Sequence, residues 1–91
     1  MEKEKQSVGK YIQFLQGKGF SFGEDAIGFI YFGMEYTAAG STLVKAAIEI
    51  TLKVQKRFDG SFYISLLEAM KEAGVETKKD AYRFASSKKL L

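Results

Sequence analysis

The sequence predicts an all-α fold, a compact bundle of about five short helices in a single domain. Three observations support this prediction: apolar residues recur at helical spacing, glycine and capping signals separate the apolar segments, and the chain has no proline. A length of 91 residues suits one domain, and an apolar content of 46% is enough for a modest core.

The first two helices are predicted on either side of a glycine-containing break. Between Val8 and Leu15, apolar residues follow the i, i+3, i+4, i+7 pattern of an amphipathic helix. Gly17-Lys18-Gly19 would end that helix, because glycine tolerates the left-handed conformation found at helix C-termini. Ser21 and Glu24 then fit a capping box, so we expect the second helix to begin there.

The predicted second helix is apolar around almost its whole circumference. Glu35 separates two uncharged runs, residues 26–34 and 36–44. A helix that is apolar on every side has to be buried on every side, so we expect it to lie at the centre of the bundle. Four partner helices cannot easily cover it in so short a chain, and we therefore expect a homodimer or a higher homo-oligomer.

Two other interpretations of this stretch are open. Residues 26–44 are long enough to cross a bilayer, although Glu35 would lie at the midpoint and Gly40-Ser41-Thr42 would break the helix. Isoleucine, phenylalanine and tyrosine also favour strands, so a β-hairpin from Ile27 to Tyr36 is the alternative to a helix. The capping signals and the lack of strict alternation favour a helix within a bundle of helices.

The third helix is predicted from about Thr42 to Phe58, after the break at Gly40-Ser41-Thr42. Charges of alternating sign recur every four residues along one side of it, at Lys45, Glu49 and Lys53. This pattern is typical of a face in contact with solvent.

The last two helices are separated by another glycine. In Asp59-Gly60-Ser61 a turn is followed by Ser61, the predicted capping residue of the fourth helix, which is expected to end at Gly74. Thr77 opens a motif that resembles a capping box, with Asp80 in place of the usual Glu or Gln. The fifth helix is expected to run to about Lys89.

The aromatic residues are concentrated in the first part of the chain. Eight of the thirteen Phe and Tyr residues lie between Tyr11 and Tyr36, and none lies between residues 37 and 57. This distribution predicts a packed aromatic centre around the first two helices. The alternative is a recognition surface, because aromatic side chains dominate interface hot spots. We expect a protein-interaction site at Tyr31, Phe32 and Tyr36.

The residues that the chain lacks exclude several kinds of chemistry. Without Cys there is no disulfide, thiolate nucleophile or zinc-thiolate site, and without His the usual general base and commonest metal ligand are missing. The carboxylates at Glu24-Asp25 and at Glu68, Glu72 and Glu76 fit solvated helix edges better than a hydrolase pair or a cation site. We therefore expect a binding or regulatory protein that is not an enzyme and uses no cofactor or metal.

The glycines do not match a phosphate-binding loop. A P-loop requires Gly-Lys-Ser/Thr, and a dinucleotide-binding fingerprint requires a preceding strand, and neither is found here. We expect Gly28 and Gly33 to allow close approach between helices instead.

The basic charge lies at one end of the chain. Residues 77–91 carry a side-chain charge of +4, whereas residues 1–76 carry −1. The order of a helix ending at residues 70–74, a turn at Val75 and a helix containing Ala81-Tyr82-Arg83 resembles a DNA-binding helix-turn-helix. That resemblance implies an alternative function in binding nucleic acid, with contacts from Lys78, Lys79, Tyr82, Arg83 and Lys89.

The first residues, Met1 to Lys5, lack the apolar run of a signal peptide. We expect the protein to be cytoplasmic and not associated with a membrane.

Overall fold

The computed structural model describes residues 2–91 and confirms the all-α prediction. Its five helices are α1 (Glu2–Gly17), α2 (Glu24–Thr37), α3 (Ser41–Gln55), α4 (Gly60–Glu72) and α5 (Lys78–Ser87). No strand is present in these residues, and the β-hairpin alternative for Ile27 to Tyr36 is wrong because α2 contains the whole segment. None of the helices within residues 2–91 combines the length and the apolar character needed to span a bilayer.

The centre of the bundle is α3, and the expectation that the second helix would be central is wrong. Each of the other four helices packs against α3. Ala46 and Ala47 are buried on it, and their small side chains allow partners to approach from more than one side. Thr51 is also fully buried, and its hydroxyl donates to the carbonyl of Ala47 at 2.7 Å, so the buried polar group is satisfied.

In α2, by contrast, only one face is buried. That face consists of Ile30, Gly33 and Met34, at the i, i+3, i+4 spacing of a single helical stripe. The outer side of the helix is exposed although it is apolar. Burial on every side is therefore wrong for the single chain, because α3 holds the only position that four helices surround.

Gly33 brings α2 close to α4. A Cβ atom added at Gly33 would lie 2.9 Å from Cε2 of Tyr63, whereas one added at Gly28 would meet nothing within 4 Å. Close helix approach is therefore confirmed for Gly33 and wrong for Gly28, which faces solvent. A Cβ atom added at Gly60, the first residue of α4, would lie 2.6 Å from the ring of Phe29. The order of contacts along the two helices shows that α2 and α4 run in the same direction.

Both ends of α2 differ from the sequence prediction. Gly23 is the N-cap residue in an extended conformation, and no side chain caps the helix. The capping box of Ser21 and Glu24 is wrong, because Ser21 lies in the exposed loop before the helix. At the other end Ala38 adopts a left-handed conformation with φ 57°, and Gly40 is the N-cap residue of α3.

The junction of α3 and α4 is also shifted. α3 ends at Gln55, earlier than the predicted Phe58, and Lys56 follows with a φ of 65°. The carboxylate of Asp59 accepts the amide of Phe62 at 3.0 Å, so Asp59 caps α4 and Ser61 lies inside the helix. Aspartate is the stronger cap here because its charge also complements the helix dipole.

The start of α5 matches the prediction. The hydroxyl of Thr77 accepts the amide of Asp80 at 3.1 Å. Gly74, which follows α4, has a φ of 74°, a left-handed conformation that favours glycine. The helix ends at Ser87, two residues before the predicted Lys89.

An aromatic cluster brings together residues that are distant in sequence. The rings of Phe22 and Phe58 are 5.9 Å apart, and those of Phe58 and Tyr63 are 5.4 Å apart. The predicted aromatic centre around the first two helices is wrong, since Phe22 is the only buried aromatic residue between positions 11 and 36. Five of the others are exposed: Phe14, Phe20, Phe29, Phe32 and Tyr36.

Candidate functional site

One exposed surface lies on the outer side of α2, and we call it the α2 aromatic face. It consists of Phe29, Phe32 and Tyr36, which are 44%, 57% and 63% exposed. Their i, i+3, i+7 spacing places them on one side of the helix. The rings of Phe32 and Tyr36 stack, with centroids 5.6 Å apart and planes 11° from parallel. Phe29 also lies against Gly60 of α4, so the stacked pair of Phe32 and Tyr36 is the most exposed part of this face.

The structure separates Tyr31 from the two residues predicted to act with it. Tyr31 is half-buried between α2 and α1, where its hydroxyl donates to the carbonyl of Lys5 at 3.4 Å and lies close to Gly9. It is therefore a packing residue between helices. Phe29, which the sequence prediction omitted, takes its place on the α2 aromatic face, and its position three residues before Phe32 was the signal that could have found it.

Charges of opposite sign lie near the two ends of this face. Glu24 and Asp25, in the first turn of α2, line a shallow groove that Phe29 and Phe32 also line. Near the opposite end, the ammonium of Lys71 donates to the carbonyl of Ala38 at 3.3 Å. The α2 aromatic face is thus acidic at its N-terminal end and has a lysine beside its C-terminal end.

A second surface lies on α5 and contains four of the five predicted nucleic-acid contacts. A groove is lined by Lys78, Lys79, Tyr82, Arg83 and Ser86. Lys79 and Arg83 are exposed, and Arg83 contacts the carboxylate of Asp80 at 3.8 Å. Lys89 follows the end of α5 with a φ of 60° and does not line this groove.

Glu49 on α3 holds α5 in place, although its position in the charge pattern of α3 predicts a face in contact with solvent. Its carboxylate accepts the hydroxyl of Tyr82 and that of Tyr11, the latter at 3.3 Å, and lies 3.4 Å from the ammonium of Lys78. Its charge pattern gave no sign of this, because partners from α1 and α5 are distant in sequence. Lys78 and Tyr82 are therefore partly engaged within the bundle.

These contacts shift the acidity of the groups around Glu49. Burial raises the pKa of Glu49, but the hydrogen bond from Tyr82 and the charge of Lys78 outweigh it, so the net pKa is lowered. Burial raises the pKa of Tyr11 to about 12, and the neighbouring carboxylate of Glu49 adds to the shift. Burial and the hydrogen bond to Glu49 likewise raise the pKa of Tyr82. Glu49 is therefore ionised and both phenols are neutral at neutral pH.

A second groove adjoins the one on α5 and was not expected from the sequence. It is lined by Tyr11, Phe14, Leu15, Phe20, Glu49, Leu52, Lys53 and Lys78. Lys78 lines both grooves, so they form one surface across α1, α3 and α5, which we call the α1/α3/α5 groove. Within residues 2–91, no cluster of three carboxylates is arranged to hold a metal ion.

The fold and these surfaces define a small five-helix protein with one exposed aromatic face and one basic groove. The chain belongs to the Family of unknown function (DUF6123), whose model matches residues 2–91. No curated protein and no solved structure shows significant similarity to the chain.

Proposed function

We propose that this protein is a non-enzymatic, cytoplasmic protein-interaction module that self-associates through the α2 aromatic face. The observation that carries the proposal is the exposure of Phe29, Phe32 and Tyr36 on one side of α2. Large aromatic side chains gain free energy when a partner removes them from water, and they are the residue types that dominate interface energetics. The absence of His and Cys supports a role in binding over catalysis.

The occupant of this face is a second copy of the chain, packed with its α2 antiparallel to the first. If the two-fold axis passes close to Phe32, Phe29 of one copy meets Tyr36 of the other, because these residues lie three and four positions from the centre. The same arrangement places Glu24 and Asp25 of one copy next to Lys71 of the other. Antiparallel helix dipoles add to this complementarity.

The size of the face sets the expected strength of the dimer. The α2 aromatic face occupies one side of a 14-residue helix. We therefore expect it to bury less area than the roughly 800 Å² that each partner buries in a standard interface. We therefore expect a dimer with a dissociation constant of about micromolar order, in exchange with the monomer.

Size-exclusion chromatography with light scattering over a range of concentrations tests this proposal. We expect the average mass to rise from monomer towards dimer, and Phe32→Arg to keep the protein monomeric. Phe14→Arg is the matched control, because Phe14 and Phe32 are both 57% exposed and lie on different helices. A wild-type protein that stays monomeric at high concentration, or a Phe32→Arg variant that still dimerises, would contradict the proposal.

Charge reversal tests the orientation of the two copies. Lys71→Glu should weaken the dimer, since it places like charges next to Glu24 and Asp25 of the second copy. Combining it with Glu24→Lys and Asp25→Lys should restore dimerisation. If the triple variant is no better than Lys71→Glu alone, the antiparallel arrangement is wrong even if Phe32→Arg abolishes self-association.

A further inference from the structure

We propose that the α1/α3/α5 groove binds single-stranded nucleic acid, with bases stacked on exposed phenylalanine rings and phosphates held by the basic side chains of α5. This inference does not depend on self-association, because the α2 aromatic face and the α1/α3/α5 groove share no residue. It also changes the target that the sequence suggested for α5, from duplex DNA to a single strand.

Two exposed phenylalanine rings form the aromatic part of the groove. Phe14 is 57% exposed and Phe20 is 42% exposed, and both line the groove. Phe14 is supported by Tyr11, whose ring is 6.3 Å away and 21° from parallel. Exposed rings of this kind stack with nucleobases in any sequence, because every base has an aromatic face.

The basic part of the groove can hold phosphates. Five basic side chains lie on or beside the groove: Lys18, Lys53, Lys78, Lys79 and Arg83. The two carboxylates among them are already paired, Glu49 with Lys78 and Asp80 with Arg83. The groove therefore carries excess positive charge next to its aromatic rings, which is the combination found in proteins that bind single strands.

Two lysines show how closely the charges and rings are interleaved. The ammonium of Lys18 lies 5.3 Å from the centre of the Phe14 ring, and that of Lys53 lies 5.1 Å from the centre of the Tyr82 ring. A phosphate bound by either lysine would thus place its base within reach of an aromatic ring.

The packing of α5 favours a single strand over a duplex. α5 packs mainly against α3, and Tyr82 and Lys78 are turned towards Glu49. A recognition helix presents its outward side chains to the major groove, whereas Lys78 and Tyr82, two of the residues predicted to make such contacts, are held by Glu49. Rings such as that of Phe14 can stack only on bases that are not already stacked in a duplex. An anionic membrane would attract the same basic side chains, and vesicle binding distinguishes that target from an oligonucleotide.

Fluorescence anisotropy with labelled oligo-dT and oligo-rU of about 12 nucleotides, and with a duplex of equal length, tests the proposal. We expect the single strands to bind more tightly than the duplex. With about four phosphate contacts and a salt dependence of about 0.7 per contact, affinity should fall about 50-fold between about 50 and about 200 mM salt. Phe14→Ala and Phe20→Ala should each weaken binding about fivefold or more.

Matched control variants show whether binding depends on the groove itself or only on overall charge and exposed side chains. Lys79→Glu and Arg83→Glu should each reduce binding strongly, whereas Lys3→Glu makes the same charge change on the exposed start of α1 and should change it little. Leu91→Ala removes an apolar side chain that is 50% exposed and lines neither part of the groove, and should leave affinity unchanged. Circular dichroism of every variant confirms that the helices are retained.

Several outcomes would overturn the proposal. These are no binding of either oligonucleotide at about 50 mM salt, equal or tighter binding of the duplex, or the same loss with Leu91→Ala as with Phe14→Ala. Binding to phosphatidylcholine vesicles with about one-third phosphatidylserine, without binding to the oligonucleotides, would assign the groove to a membrane surface instead. If the protein does not self-associate, these binding measurements still test the proposal, because the substituted residues lie outside the α2 aromatic face.

Discussion

The hydroxyl of Tyr63 donates to the backbone carbonyl of Ile30 at 2.7 Å, in the buried contact between α4 and α2. The Tyr63 side chain is fully buried, and its ring lies against Gly33 one helical turn further along. These contacts hold Ile30 and Gly33 against α4 and leave Phe32 and Tyr36 exposed on the outer side of α2. The exposure of the α2 aromatic face thus follows from how Tyr63 packs.

Replacing Gly33 by alanine should destabilise the protein. The new Cβ would lie 2.9 Å from Cε2 of Tyr63, a buried ring that cannot move away without losing its hydrogen bond. We expect a loss of about 1 to 3 kcal/mol in the free energy of unfolding, measured by urea denaturation. Gly28→Ala is the control on the same helix: it meets no neighbour and should be neutral or stabilise by up to about 1 kcal/mol. Equal effects of the two substitutions would show that Gly33 is not a site of close approach.

Removing the hydroxyl of Tyr63 should cost less than the Gly33 change but remain measurable. Tyr63→Phe keeps the ring and deletes the hydrogen bond to Ile30, and we expect a loss of about 0.5 to 1.5 kcal/mol. Tyr36→Phe removes an exposed hydroxyl and should alter the unfolding free energy by less than about 0.5 kcal/mol. If both variants unfold at the same urea concentration as the wild type, the buried hydrogen bond contributes nothing to stability.

The cap of α4 provides a direct comparison between Asp59 and Ser61. Asp59→Ala removes the carboxylate that accepts the amide of Phe62, and should lower the unfolding free energy by about 0.5 to 2 kcal/mol. Ser61→Ala should change it by less than about 0.5 kcal/mol, because Ser61 is exposed within the first turn. A larger effect for Ser61→Ala would mean that the serine is the capping residue after all. Thermal unfolding followed by circular dichroism is sufficient for this comparison.

Stability should fall in alkaline solution. Burial raises the pKa of Tyr11 to about 12 and also raises the pKa of Tyr63 and Tyr82. An unfolded tyrosine has a pKa of about 10, so above that pH the unfolded chain releases these protons while the folded chain retains them. The contribution is complete below about pH 10 and is lost as the pH rises towards the folded pKa values.

Urea denaturation at about pH 7 and at about pH 11 measures this effect. The Tyr11→Phe variant should lose less stability over that interval than the wild type, since it has one fewer raised phenol. Comparison of the two proteins at the same pH cancels the contribution of the lysines, which also titrate in this range. An unfolding free energy that is equal at the two pH values would show that the phenols are not protected in the folded state.

Local signals explain why the helices were predicted well. Thr77 was identified as a cap because the amide it accepts is only three residues away, at Asp80. The capping box at Ser21 is wrong because the N-cap residue is Gly23, two residues further along the chain, where the backbone is extended and no side chain caps the helix. Glu49 was misassigned for a different reason, since its partners Tyr11 and Tyr82 come from helices far away in the chain.

The helices, most of their breaks and the end that carries the excess positive charge can be predicted from the sequence, because these properties depend on spacing and neighbouring residues. The central position of α3, the inward packing of Tyr31 and the lining of one groove by Phe14 and Lys78 depend on contacts between helices that are distant in the chain. An apolar helix offers several similar faces for burial, and the choice depends on which one fits its neighbours. For α2 that choice follows from the absence of a side chain at Gly33, which lets Tyr63 pack closely against it.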